Sequence, residues 1–365
     1  MTIQEITVRD LPAFVESSLY RASDVKPVTP ERALSQIHNP RAKPGDVVLI
    51  VAYTDEGRLA GFIGMLPDTG NSADGQYHFA WNSGWWIDPE LGRGIALKLL
   101  YKSIQSWKGF YLITDLTPHT RSIIELTGLF SFTQPLEGLR LQILSDFSGK
   151  LMRKCRFLVI FRSLFVLTDK TINAILRCRL SNWMRRNESP GLTVEFMQSI
   201  NSDCLDFIER HNTGELCRRS KSEFEWIISY PWLVSDKSAG PAMKYPFSRE
   251  CEVFENILAK IMYNGKITGV VFLTNRNGLF RIPYVYADSS QSNPVFFAVC
   301  KMLIEKNASG FCTFRRDITE YIEKNAFPCF YKKCIIKELA ISKAIIQKQP
   351  EKYFLQDGDG DVVFT

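Results

Sequence analysis

The two halves of this chain echo one another, and that constrains its fold more than any other feature. Tyr53…Gly57-Arg58-Leu59-Ala60-Gly61-Phe62-Ile63 parallels Tyr263-Asn264-Gly265-Lys266-Ile267-Thr268-Gly269-Val270-Val271. Gly109-Phe110…Thr114-Asp115 parallels Gly310-Phe311…Arg316-Asp317, and Gly128-Leu129-Phe130 answers Asn325-Ala326-Phe327. A hairpin turned by glycine is common, but three echoes in the same order at similar spacing predict two copies of one unit. The 365 residues are enough for two cores.

In the first copy, 6–8 reads as a strand, with helices after Asp10 and near 31–38. The β-branched run 47–53, the turn Asp55-Glu56-Gly57 and the run 59–65 read as a hairpin. Residues 67–75 read as a loop, 77–87 as a strand, 95–107 as a helix, 110–116 as a strand and 121–127 as a helix. The alternation in 139–144 reads as the last strand of this copy. The expected fold is mixed α/β (an α+β mixed sheet) in two tandem domains, 1–146 and a degenerate 191–365, joined by basic amphipathic linker helices at 147–190.

The stretch Trp85-Trp86-Ile87-Asp88-Pro89-Glu90-Leu91-Gly92-Arg93-Gly94-Ile95-Ala96 carries the chemistry of the first copy. A strand ends at Asp88-Pro89, a glycine turn follows, and a helix with apolar Ile95, Leu97, Leu99 and Leu100 starts at once. Glycines let backbone N–H groups approach an anion, and the helix start adds unpaired donors and partial positive charge. Arg93 supplies a full charge suited to phosphate oxygens. The dinucleotide fingerprint is excluded, because Leu97 stands where its third glycine belongs. In the second copy the matching residues are Asp288-Ser289-Ser290-Gln291-Ser292-Asn293-Pro294, which cap a helix but suit no pyrophosphate.

This stretch resembles the acyl-CoA site of the GNAT acyltransferase superfamily, whose pattern is a strand, R/Q-x-x-G-x-G/A and a helix. Gly94 and Ala96 match the last two positions, and Leu91 departs from the Arg or Gln. The resemblance implies acetyl-CoA as co-substrate, held by Trp86, Ile87, Gly92, Arg93, Gly94, Ile95 and Ala96. The tandem pattern is similar to GNAT proteins of surface-polysaccharide synthesis and, more distantly, to Fem-type transferases. Asn39-Pro40-Arg41, Gly61-Phe62-Ile63-Gly64, Leu66-Pro67-Asp68, Ser83-Gly84, Thr117-Pro118, Glu225-Trp226, Tyr230-Pro231 and 353–359 carry that likeness. It implies an N-acyltransferase, acetyl by default, acting on an amine such as an aminosugar. The alternatives are a non-catalytic acyl-CoA-binding module and a Fem-type aminoacyl transferase.

Acyl transfer to an amine needs a base, a stabilised oxyanion and a proton for the leaving thiolate. Counting along the family pattern puts Ser83 where the family carries a glutamate base and Ile124 where it carries a tyrosine acid. Asp115, at the end of strand 110–116, is the first substitute base, and His119 has a pKa suited to the role. Trp81, Trp85 and Trp86 read as core packing or as a sugar-stacking wall. Asp357, Asp359 and Asp361 read as a solvated tail or as a strand end aiming one carboxylate into an interdomain cleft.

Of the net charge of +6, the stretch 147–187 carries +9, from ten cations against Asp169 alone, leaving −3 elsewhere. Global attraction to nucleic acid is therefore not expected. The stretch reads as linker helices, with contact to an anionic membrane as the alternative. No leader or spanning segment is read, and nine cysteines without a C-x-x-C pair fit a cytoplasmic setting, peripheral to the membrane at most. His38, His78, His119 and His211 are scattered, and no metal is expected.

Overall fold

The computed structural model describes residues 1–72, 74–114, 116–146, 148, 161–235, 243–348 and 353–365. Fourteen strands form two mixed sheets of seven. The strands are β1 (Thr2–Thr7), β2 (Val47–Tyr53), β3 (Leu59–Ser72), β4 (Gly75–Ile87), β5 (Tyr111–Ile113), β6 (Phe130–Phe132), β7 (Leu136–Gln142), β8 (Leu192–Met197), β9 (Phe254–Tyr263), β10 (Lys266–Arg276), β11 (Leu279–Ala287), β12 (Gly310–Thr313), β13 (Tyr331–Lys337) and β14 (Ala340–Ser342). The first sheet has the order β1-β2-β3-β4-β5-β14-β6, and the second β13-β7-β12-β11-β10-β9-β8.

The echoes in the sequence are echoes in structure. A hairpin, a third antiparallel strand, a helix, a parallel strand and a second helix follow one another twice. Gly57 and Gly265 turn the matching hairpins with the same φ of 77°. The run of β2 is buried throughout because both faces of its sheet are covered. Ile50 and Ala52 pack beneath Leu99, Leu100 and Ile104, while Leu49, Val51 and Tyr53 pack under Leu11, Phe14 and Tyr20.

Two expectations need correcting. Residues 67–75 are not a loop: β3 runs on to Ser72 and pairs with β4 through Pro67↔Ala80 to Ser72↔Gly75. Proline is tolerated there because β2 stops pairing at Leu49↔Gly64, so Pro67 lies on an edge where no ladder N–H is required. Residues 139–144 do alternate, but their strand, β7, pairs with β12 in the second sheet. Leu139 and Leu141 are buried there with Phe311 and Ile318. In return β14 inserts between β5 and β6.

The compact units therefore draw on both halves of the sequence. One comprises Met1–Pro135, Asn212–Phe254 and Lys337–Thr365; the other Leu136–His211 and Glu255–Ile336. The contiguous division at 146 and 190 groups the residues differently. The helix Arg162–Asn187 belongs to the second unit, where Leu176, Leu180 and Trp183 are buried. Trp183 donates its indole N–H to the Asn325 carbonyl at 2.7 Å. No helix among the described residues is long and apolar enough to cross a membrane.

Candidate active site

The site forms where two strands of the first unit part. β4 and β5 pair in parallel only at Ala80↔Tyr111 and Trp81↔Leu112. Beyond Trp81, β4 bulges: Ile63 faces Trp85 and Met65 faces Asn82, so Ser83 and Gly84 together oppose Gly64. A bulge bends its strand and strengthens the local twist. Gly84 takes φ of 93°, which a residue with a Cβ adopts only under strain. The gap opens a cavity of about 590 Å³ lined by Asn82, Gly84, Trp85 and Ile87 of β4 and by Ile113 and Thr114. Ala96, Thr117, His119, Thr120, Ile123, Arg32, Phe247 and Asp361 complete the wall. That volume falls in the small-molecule range of roughly 300–1,000 Å³.

The turn after β4 is built by its sequence. The Asp88 side chain accepts from the N–H groups of Glu90 at 2.9 Å and Leu91 at 2.8 Å. A Cβ on Gly92 would lie 2.3 Å from Ile87 Cγ2 and 2.6 Å from the Ala60 carbonyl oxygen, so only glycine fits. Gly94 has φ of 75° and open space beside it. The helix Ala96–Ser106 then begins with no side-chain cap. Its first N–H groups are thus left for a ligand. Arg93 and Gly94 are exposed, Gly92 and Ile95 are buried, and Ala96 and Ile87 reach the cavity. Trp86 packs against Phe62 at 5.8 Å between ring centres, outside the cavity wall. In the second unit Asp288 likewise accepts from Ser290 N at 2.9 Å, but no glycine follows it before the helix, and Val295 is fully buried.

The three residues singled out for proton transfer have different fates. Asp115 lies outside the described residues. His119 is exposed on the cavity wall, one residue into the helix Pro118–Thr127, which Thr117 caps. Ser83 is buried and donates its hydroxyl to Asp361 Oδ2 at 3.0 Å. The sequence does not single out Asp361 among three alternating carboxylates; the structure puts it on the cavity wall of the first unit, beside the bulge.

A buried charge network holds the segment that delivers Asp361. Arg219 forks onto Asp68 at 3.0 and 2.8 Å and also reaches Asp359 at 2.9 Å. Arg41 bonds Asp68 at 2.7 Å and Glu223 at 2.8 Å, and Trp81 Nε1 donates to Asp68 at 2.8 Å. Burial pushes the Asp68 carboxyl up, but Arg219 and Arg41 outweigh it and hold the group well below the usual carboxylate range. Asp359 accepts from Arg219 and from the Gln356 N–H at 2.9 Å, but burial, helped by the neighbouring Asp68 charge, outweighs them and raises its pKa. Farther on, Phe364 stacks on Trp232 with ring centres 4.8 Å apart. Trp81 is thus a core residue and no stacking wall; Trp85 alone of the three tryptophans lines the cavity.

Sequence reasoning passed over Arg32. It lies on the helix Pro30–Ile37, is 7% exposed, and lines the cavity. Its guanidinium carbon lies 4.1 Å from the Trp232 ring centre, 5.3 Å from Tyr245 and 6.0 Å from Phe247. Burial lifts the Tyr245 hydroxyl to about 12, with Arg32 lowering it and Asp361 raising it. An arginine on a short helix gives no periodic signal that it faces inward.

No protein-family model matches the chain, and no curated protein matches it in sequence. Solved structures do match in fold. A conserved protein of unknown function from Enterococcus faecalis V583, described as a probable N-acyltransferase, is 12% identical. It covers 96% of this chain and 75% of its own, with a TM-score of 0.52. A GCN5-related N-acetyltransferase from Kribbella flavida is 12% identical over 94% of this chain and 72% of its own, with a TM-score of 0.49. One from Anabaena variabilis ATCC 29413 is 12% identical over 81% of this chain, with a TM-score of 0.44. The chain spans 63% of the length of that Anabaena protein. The likeness to the Enterococcus faecalis protein is one of fold, over both of the seven-stranded mixed sheets.

Proposed function

We propose that the first unit is an acyl-CoA-dependent N-acyltransferase, with acetyl as the acyl group and an amine as acceptor. The observation that carries this reading is the parting of β4 from β5 into a cavity that ends at an uncapped helix start. The pyrophosphate of CoA would lie on the turn at Gly92, Arg93 and Gly94 and on the first N–H groups of the helix from Ala96. Its pantetheine arm would enter the gap along the edge of β4 that faces β5. That edge, through the Ile87 N–H, would supply a backbone donor for the thioester oxygen.

In this reading Asp361 is the general base, and Ser83 holds its carboxylate toward the bulge. The amine gives its proton to Asp361, its nitrogen bonds the thioester carbon, and the tetrahedral centre collapses by breaking the C–S bond. His119, on the same wall, returns a proton to the thiolate. The carboxylate that family members carry within the strand thus arrives from a distant segment. A binding module without turnover is the competing reading, motivated by Leu91, Ser83 and Ile124.

Thiol release from acetyl-CoA with a panel of amines tests the proposal. Asp361→Asn should lower the rate by about 10²–10⁴-fold and leave acetyl-CoA affinity within a factor of two. Wild-type protein that binds acetyl-CoA but releases no thiol with any amine would leave the binding module standing. The aminosugar acceptor rests on the motif resemblance, and nucleotide-linked aminosugars in the same panel test it. RNA binding with a steep salt dependence, without CoA binding, would instead favour the Fem-type reading.

A further inference from the structure

Arg32 is a buried cation. No carboxylate pairs with it among the described residues, and its Nε has no acceptor. Trp85, on the same cavity wall, also carries a buried indole N–H without an acceptor, and so does Trp232, whose ring lies against the guanidinium. What the Arg32 guanidinium lacks is an anion with acceptor oxygens. Burying an unpaired charge is costly. The aromatic rings recover part of that cost and fix the guanidinium plane.

Two anionic ligands come into question. The CoA pyrophosphate already has the glycine turn and helix start, which Arg32 does not join: it sits on another helix, among Trp232, Tyr245 and Phe247. The acceptor remains. Among the described residues no lysine and no second arginine lines the cavity, so one guanidinium faces one negative charge. A planar fork matches a carboxylate in two parallel bonds.

Resting on the acyltransferase reading, we infer that the acceptor is an amine that also bears a carboxylate, with Arg32 anchoring the carboxylate while Asp361 takes the proton from the nitrogen. An amino acid or an aminosugar acid has this chemistry; a neutral aminosugar does not.

The test uses the full-length protein and three matched probes: an ω-amino carboxylate series, the same amines without the carboxylate, and the same amines with a phosphonate. Binding is read by calorimetry in the presence of CoA, and thiol release with acetyl-CoA is read separately. Expected is at least about tenfold tighter binding of the carboxylates over the neutral amines. Arg32→Gln should bring that preference within a factor of two, and Arg32→Lys should keep part of it, which separates charge loss from misfolding. Equal binding of charged and neutral amines, a preference that survives Arg32→Gln, or a preference for the phosphonates would overturn the inference. A carboxylate preference that depends on Arg32, without thiol release from any probe, would uphold the anion site and refute the acyl transfer on which its role rests.

Discussion

Asp68 shows how one buried residue ties stability to the site. It accepts from two guanidinium groups, an indole N–H and the N–H of Thr69. Removing one partner of a buried ion pair leaves charge uncompensated, so Asp68→Asn should cost about 3–5 kcal/mol. The pH dependence has a definite sign. The folded pKa of Asp68 is depressed, so its contribution is complete above the unfolded value of about 3.9 and is lost as pH falls toward the folded value. Asp359 is shifted upward and acts in the opposite sense: its contribution is complete at low pH and lost as pH rises through its folded value. Thermal melts from pH 7 downward should show the wild type losing stability below about pH 4. Asp68→Asn should start lower and fall less steeply. Parallel curves for the two proteins would refute this role. None of the network was legible in the chain, because Arg41, Asp68, Arg219 and Asp359 are far apart in sequence and meet only through the fold.

Elements were more legible than pairings. Ile37 and Ser106 end helices that apolar spacing had located to within a residue or so, because burial on one face writes a period into the sequence. The helix of 118–127 starts three residues before the expected position, since Thr117 and Pro118 act as cap and first turn. Strand partners were not legible: alternation in Leu139 and Leu141 shows that one face is buried but not in which sheet. The cradle was legible because Gly92 and Gly94 are each required by the backbone; which of Asp357, Asp359 and Asp361 reaches a cavity was not, because their neighbours look like any polar turn. On the helix Arg162–Asn187, Leu164, Leu167 and Ile175 are exposed with Lys170, Arg177, Arg179, Arg185 and Arg186. Each cation near an anionic surface contributes about 1 kcal/mol. We propose a salt-sensitive contact with anionic lipid, and flotation checks it: anionic vesicles should carry the protein and neutral ones should not. Leu164→Ser with Leu167→Ser should weaken flotation by severalfold, and no flotation with anionic vesicles would remove the membrane from the reading.

At the scale of the molecule, the exchange of β7 and β14 makes each sheet depend on both halves of the chain. Residues 1–146 alone lack β14, which fills the sheet between β5 and β6, and lack the segment bearing Asp361. An open sheet edge and an uncovered core should leave that fragment without a cooperative melt, while the full chain melts cooperatively. A fragment 1–146 with a sharp thermal transition would show that the exchanged strand is dispensable. The passage of chain that supplies β14 also leads to Asp361, which lines the cavity of the first unit. Calorimetric titration of acetyl-CoA into the full-length protein tests the central claim, acyl-CoA binding by the first unit, most directly. Expected is saturable heat with a Kd below about 1 mM. Gly94→Glu, which places a carboxylate at the helix start, should weaken binding at least about tenfold, and Gly94→Asn, which keeps the backbone shape without charge, should weaken it far less. Absence of heat in the wild type at about 1 mM ligand, or equal affinity in Gly94→Glu, would contradict that claim.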